Sequence, residues 1–222
     1  MNLAREEILT KLKTAPRKQA SPRPATPALN EVALKGEELV AKFIQEVTAQ
    51  TDTVHRAKNK HGILSRLAAI FKKKRISTIM ASNDDVVRTL DLAAWGKKNS
   101  IKVKTALDFK DRDPYVNAVF DEAEAGITGI DFAVAESGTL GLIHNKEQPR
   151  LISLAPIHHI AIVPLDRLVP VYENITDNLY IKNKNAPTHV TFISGPSRSS
   201  DIKATPFKGM HGPKRLEIIL IG

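Results

Sequence analysis

Two short stretches carry residue types that could do chemistry. Glu136-Ser137-Gly138-Thr139 and Gly195-Pro196-Ser197-Arg198 each put hydroxyls, a glycine and one charged group at the end of an apolar, strand-like run. In the first, Ile130, Phe132, Val134 and Ala135 suit a buried strand. Glu136 is then a candidate general base, Ser137 and Thr139 are candidate donors, and Gly138 lets the backbone approach a ligand closely. The plainer alternative is a turn between two strands, with Glu136 a structural carboxylate accepting N–H bonds from Gly138 and Thr139. In the second, the run THVTFIS ends at Gly195, and the Ser197 hydroxyl and Arg198 guanidinium suit a phosphate or carboxylate that the guanidinium can grip with two bonds. A helix is expected to start at Ser199, Ser200 or Asp201, adding its free N–H groups to the anion site. The alternative there is an ordinary N-cap with a solvated arginine, Asp201 serving as cap or as partner of Arg198. His211, flanked by Gly209 and Gly212 and followed by Pro213, can act as acid or base near neutral pH or simply cap its turn.

Other chemistries are disfavoured. His158 and His159 are adjacent on a strand-like run, so their side chains point to opposite faces and do not share a metal; no metal site is expected. The chain has no cysteine, which excludes disulfides, thiol catalysis and cysteine-ligated iron-sulfur clusters within it. No glycine-rich loop of Rossmann or Walker type is present, since GMHGPK lacks the spacing and the Ser/Thr, so no nucleotide cofactor is expected. The net charge of +9 is concentrated in HRAKNKHGILSRLAAIFKKKR, residues 55–75, without interleaved aromatics or a nucleic-acid-reading signature. That pattern fits a solvated helix face, with an acidic partner protein or an anionic substrate as the alternative and no specific nucleic acid expected.

These residues must be positioned by a scaffold that alternates helix and strand. A helix is expected over Asn2 to Lys13, then the four prolines of APRKQASPRPATP read as a linker, so residues 1–28 form an N-terminal extension and 29–222 one α/β domain. Such a tethered helix could swap onto a partner or a second copy of the chain, which leaves a homo-oligomer open. Helices are expected over Glu31 to Ala49, Ile63 to Phe71, Asp84 to Lys98 and Asp113 to Ala125. Strands are expected at Thr53-Val54, Ile76 to Ala81 and Ile101 to Leu107. This spacing favours parallel βαβ units. After Gly126 strands crowd closer: Ile130 to Ala135, Thr139 to Ile143, Ile160 to Val163, Val190 to Ile193 and Leu216 to Ile221, with a helix from Leu168 or Val171 to about Ile181 and an undecided turn or strand at Arg150 to Leu154. No apolar run approaches the ~18 residues a membrane helix needs, and MNLAREEILTKLKT has no signal-like core, so a cytoplasmic protein without a transmembrane segment is expected.

The blocks EAGITGIDFAVAESGTL, PRLISLAPIHHIAIVPLDRLVP, VTFISGPSRSSDI and GMHGPKRLEIILI, in this order from about Val116 to the C-terminus, closely resemble the LutC (YkgG-like) branch of the lactate-utilisation, or LUD-domain, family. The resemblance implies a three-layer, mainly parallel α/β fold similar to ribose-phosphate isomerases and CoA transferases (NagB/RpiA-like). It also implies a role in oxidising L-lactate to pyruvate beside iron-sulfur partner subunits, the clusters residing in those partners and no cofactor in this chain. Within it, Ser137, Gly138, Thr139, Gly195, Ser197 and Arg198 are the candidate ligands of a small anion, and Glu136 or His211 would handle a proton. Two further readings stay open: a non-catalytic assembly or anion-sensing module, and, by fold analogy, a stand-alone isomerase or acyl-transfer enzyme.

Overall fold

The computed structural model describes residues 3–15, 34–50, 53–176, 179, 187–200 and 206–222. The chain divides into one unit over Met1–Glu31 and a second over Val32–Gly222. In the first, α1 (Leu3–Thr14) forms where a helix is expected; none of its residues is buried. The Pro-rich linker lies outside the described residues.

In the second unit the chain runs α2 (Gly36–Gln50), β1 (Val54–Ala57), α3 (Lys60–Lys74), β2 (Thr78–Ala81), α4 (Asp85–Arg88), α5 (Leu92–Asn99), β3 (Lys102–Thr105) and α6 (Arg112–Asn117). It continues with β4 (Ala125–Gly129), β5 (Phe132–Val134), β6 (Thr139–Ile143), α7 (Leu151–Leu154), β7 (His158–Pro164), β8 (Leu168–Val169), α8 (Glu173–Thr176), β9 (Val190–Ile193), β10 (Arg198–Ser200), β11 (Pro206–Lys208) and β12 (Arg215–Ile221).

A six-stranded sheet in the order β1-β12-β7-β4-β2-β3, parallel throughout, forms the middle layer. On one face, Ile63, Leu67, Ile70 and Phe71 of α3, at helical spacing, pack with Val87, Leu92 and the strand residues Ile79, Ile127, Ile160 and Ile219. On the other, Val40, Phe43 and Val47 of α2 pack with Leu140 and Leu142 of β6 against Ala161, Val163, Ile218 and Leu220. A second, four-stranded sheet, β8-β5-β6-β9, thus shares that outer layer with α2. The architecture is three-layer α/β around a parallel sheet.

Local chemistry sets the element ends. Asn59 caps α3 by accepting the Gly62 N–H at 3.0 Å, and Arg75 ends it in the left-handed region at φ 57°. The single helix expected over Asp84 to Lys98 is two, because Asp91, itself left-handed at φ 49°, caps α5 anew after Leu90 has turned into the core. The strand expected to reach Leu107 stops at Thr105, where the Asp108 carboxylate accepts the Thr105 N–H at 2.6 Å and closes a 3-10 turn. The helix expected to reach Ala125 gives way to a π-helical turn, Ala118–Glu122, and then to β4, a central strand that has no alternating pattern because both its faces are covered. Its glycines are steric necessities: a Cβ at Gly126 would overlap the carbonyl oxygen of Ile152, and one at Gly129 would overlap the Asp84 carboxylate. Ile130 to Ala135, expected as one strand, begins as a crossover between sheets, and only Phe132–Val134 pair. Leu168-Val169, expected within a helix, pair in parallel with β5, and the helical segment after them covers Glu173–Thr176. Arg150 to Leu154 resolves into the short helix α7.

Candidate functional site

β6 and β9 run antiparallel, with Leu140 opposite Ile193, so the residue before Leu140 and the residue after Ile193 meet at one end of the pair. There the Thr139 Oγ1 and Ser194 Oγ hydroxyls are 2.7 Å apart, and Ser137 Oγ is 2.8 Å from Thr139 Oγ1, giving a short hydroxyl chain. Gln50, the last residue of α2, ties the two loops together: its side chain donates to the Ser137 carbonyl at 3.1 Å, and its own carbonyl accepts Arg198 Nη2–H at 2.7 Å. Gly138, at φ 62°, lets the turn close against α2, since a Cβ there would stand 2.7 Å from the Val47 nitrogen. The two loops therefore do meet, but by antiparallel pairing in the outer sheet and not, as parallel strands would require, at a shared carboxyl-terminal edge.

Beside this junction lies a cleft of about 270 Å³ lined by Ser194, Gly195, Ser197, Arg198, His211 and His159, with Leu154 and Leu216 supplying apolar walls. Its inner end abuts the amino ends of β7 and β12, where His159 and Leu216 sit. Ser197 is pinned on both sides, its N–H donating to Pro213 O at 2.9 Å and its carbonyl accepting Gly209 N–H at 3.0 Å, and its Oγ accepts the His211 N–H at 3.4 Å. The helix start expected at Ser199 to Asp201 is a correction: Arg198–Ser200 form β10, paired antiparallel with β11, and Asp201 lies outside the described residues. No helix N-terminus contributes to this cleft among the described residues; its polar lining includes the Arg198 guanidinium and the Ser194 and Ser197 hydroxyls.

Glu136 is placed elsewhere. It is exposed, it is absent from the cleft's lining, and its Oε1 accepts the Tyr172 N–H at 2.9 Å while its own N–H donates to Pro170 O, so it fastens the segment after β8. The structure thus gathers Gly195, Ser197, Arg198 and His211 at the cleft, sets Ser137, Gly138 and Thr139 behind them, and leaves Glu136 out.

His159 is the cleft residue that sequence reasoning set aside. It is 1% exposed, its Nε2 lies 2.8 Å from Thr128 Oγ1, and its Nδ1 has no partner among the described residues. Burial, reinforced by the neighbouring His158, pushes its pKa down to about 3, so the ring is neutral. His158 points the other way, toward Glu217: its Nε2 is 3.3 Å from Glu217 Oε1 but not aligned as a hydrogen bond, so that contact is electrostatic. His55 Nε2 is 3.3 Å from Glu217 Oε2. Burial opposes ionisation of Glu217, yet the two histidines outweigh it and hold its carboxyl below the usual range. No sequence signal links these three, because β1, β12 and β7 become neighbours only in the sheet. Among the described residues no group of three or more His, Asp or Glu is arranged to hold a metal ion, and none of the helices is long and apolar enough to cross a membrane.

A LUD domain family profile matches residues 40–221, the whole of the central sheet and the cleft. The chain belongs to the LUD domain family. This LUD domain is 30% identical over 191 residues to lactate utilization protein C 1 of Bacillus mycoides (strain KBAB4), covering 85% of this chain and 81% of that one. It is 31% identical over 217 residues to lactate utilization protein C of Exiguobacterium sp. (strain ATCC BAA-1283 / AT1b), covering 94% and 87%. Among solved structures it is similar in fold to a DUF162 family protein from Deinococcus radiodurans, with a TM-score of 0.61 at 21% identity over 85% of this chain and 99% of that one.

Proposed function

We propose that this chain is the non-iron-sulfur component of a lactate-utilisation system that oxidises L-lactate to pyruvate in the cytoplasm, and that its part is to hold a small 2-hydroxy acid or a related anion in the cleft beside Arg198. What supports the reading is the coincidence of a cationic, hydroxyl-lined cleft with similarity, over most of both chains, to proteins named for lactate utilization. Arg198 supplies the fork that matches a carboxylate, and Ser197 and Ser194 supply hydroxyl donors. His211, exposed and lining the cleft, is the proposed acid or base.

Oxidising a 2-hydroxy acid removes a hydride equivalent and a proton, so an electron acceptor is required. With no cysteine, this chain does not fit a cysteine-ligated cluster, and iron-sulfur partner subunits are the proposed acceptors. The second reading, a non-catalytic assembly or anion-sensing module, is favoured by one observation: Arg198 is also tied to the Gln50 carbonyl, so occupancy of the cleft can be felt at the end of α2.

The deciding experiment purifies the native complex and measures lactate oxidation with this chain, without it, and with Arg198→Ala. Loss of turnover on both omission and substitution supports a substrate-binding role. Loss on omission alone supports assembly, and undiminished oxidation without the chain overturns both.

A further inference from the structure

Lys72, Lys73, Lys74 and Arg75 end α3, and Lys97 and Lys98 stand in the last turn of α5. Lysines in a last turn complement the helix dipole, which is enough to explain one such cluster on a solvated helix. Here two clusters converge. The helices meet through Phe71 and Trp95, edge to face with ring centroids 5.8 Å apart, and both end in a left-handed residue, Arg75 and Ser100. Both ends open on one groove of about 500 Å³, with Phe71, Ile76 and Ile101 on its floor, the half-buried Trp95 as a wall, and Lys72 and Arg75 at its edge. No Asp or Glu lines it. Among the described residues no ion pair engages any of the six cations.

We propose that this groove docks an acidic segment of a partner protein, its carboxylates meeting the lysines and one apolar side chain entering beside Trp95. Charge sets the partner's sign: Lys72 and Arg75 line the groove and Lys73, Lys74, Lys97 and Lys98 lie on the same two helix ends, against one nearby carboxylate, Glu124, whose Oε2 is occupied by Ser77 N–H and Oγ, so carboxylates relieve an excess of positive charge there. The helix ends set its class. Of the last carbonyls, Phe71 O accepts from Arg75 and Ile76, and Gly96 O accepts from Ser100 and Ile101; the later ones in each helix lack intrahelical donors. A peptide brings N–H groups for those carbonyls together with carboxylates for the lysines, whereas the sugar-phosphate backbone of DNA brings acceptors only. The groove lies at the amino ends of β2 and β3, the same edge of the central sheet that the cleft meets at β7 and β12, so a protein docked here would lie along the edge that holds the cleft. The inference does not depend on the ligand proposed for that cleft.

Trp95 is the single tryptophan of the chain, so its emission reports occupancy of this groove alone. The full chain is titrated at low salt with a synthetic peptide of glutamates around a central leucine. The expected result is a saturable change in Trp95 emission, weakened about tenfold or more by Lys72→Glu with Lys73→Glu. Lys58→Glu with Lys60→Glu, the same charge change about 20 Å away at the other end of α3, should leave affinity within about twofold. If the first pair lowers the melting temperature, Lys73→Glu with Lys98→Glu replaces it. Unchanged Trp95 emission, or equal weakening by the two charge pairs, overturns the proposal. So does a Trp95 response to oligothymidine or to phosphatidylglycerol vesicles at lower concentration than to the peptide, which would assign the surface to nucleic acid or membrane.

Discussion

Arg198 lines the cleft and donates Nη2–H to the last carbonyl of α2, so Arg198→Ala removes an anion ligand and a helix C-terminal contact together. Anion affinity should fall by about 1.5 to 3 kcal/mol, the scale of a charge-assisted hydrogen bond, while stability falls by only about 1 kcal/mol because the arginine is exposed. Arg198→Lys should recover the stability, since an ammonium can also reach a carbonyl, but little of the affinity, since it lacks the two-pronged fork. Calorimetric titration with L-lactate and a melt of each variant separate the two effects; equal affinity in all three proteins would remove Arg198 from the site. His159 makes a pH prediction at the same scale. Its folded pKa is depressed to about 3 from an unfolded 6.5, so between these values the unfolded chain binds the extra proton. The stability this ring contributes is complete above pH 6.5 and is lost as pH falls toward 3, with a slope of up to about 1.4 kcal/mol per pH unit. His159→Gln should flatten that slope relative to the parent between pH 6 and 4 in denaturant titrations, and an unchanged slope would mean the ring is not held neutral by the fold.

Asp84 shows how one side chain joins elements. Its Oδ1 accepts the Val86 and Val87 N–H groups at 2.9 and 3.0 Å, capping α4, while Oδ2 accepts the Gly129 N–H at 2.8 Å at the end of β4 and also the Ser82 hydroxyl. Asp84→Ala would leave these donors unmet, so a loss of about 2 to 4 kcal/mol is expected by chemical denaturation. Asp84→Asn, which keeps one acceptor oxygen, should lose less. If both variants melt like the parent, the carboxylate is not what links α4 to the central sheet. Element ends of this kind explain much of what the sequence left open. A second N-cap within one amphipathic run splits a helix at Asp91, and a glycine-rich central strand leaves no period to read at Ala125–Gly129.

For the whole molecule, the division into two units and the absence of buried residues in α1 predict that a chain starting near Leu29 keeps the parent's melting temperature. A drop of several degrees would show that the N-terminal helix is docked. Without cysteine, the purified protein should be colourless and free of stoichiometric iron; a cluster found by metal analysis in this chain alone would require a ligand set of another kind.

What the sequence determined by itself was whatever depends on local pattern and on residue inventory. Helical spacing in α3, strand composition in β6, β9 and β12, the alternation that implies parallel βαβ units, and the exclusion of thiol chemistry were all legible there; Ser197 and Arg198 were legible as polar residues of one loop, while His211 was joined to them only through the family resemblance. The tertiary structure alone decided which loops meet and from which direction. Glu136 and Thr139 are three residues apart, yet one accepts from Tyr172 outside the cleft and the other bonds Ser194 behind it, because Glu136 stands in the turn after β5 whereas Thr139 opens β6, which pairs with β9. His159 was beyond reach for a related reason. Whether a buried histidine faces a core or a cleft depends on what the opposite sheet brings over it, and here that cover comes from β9 and the loop of His211, more than thirty residues further along the chain.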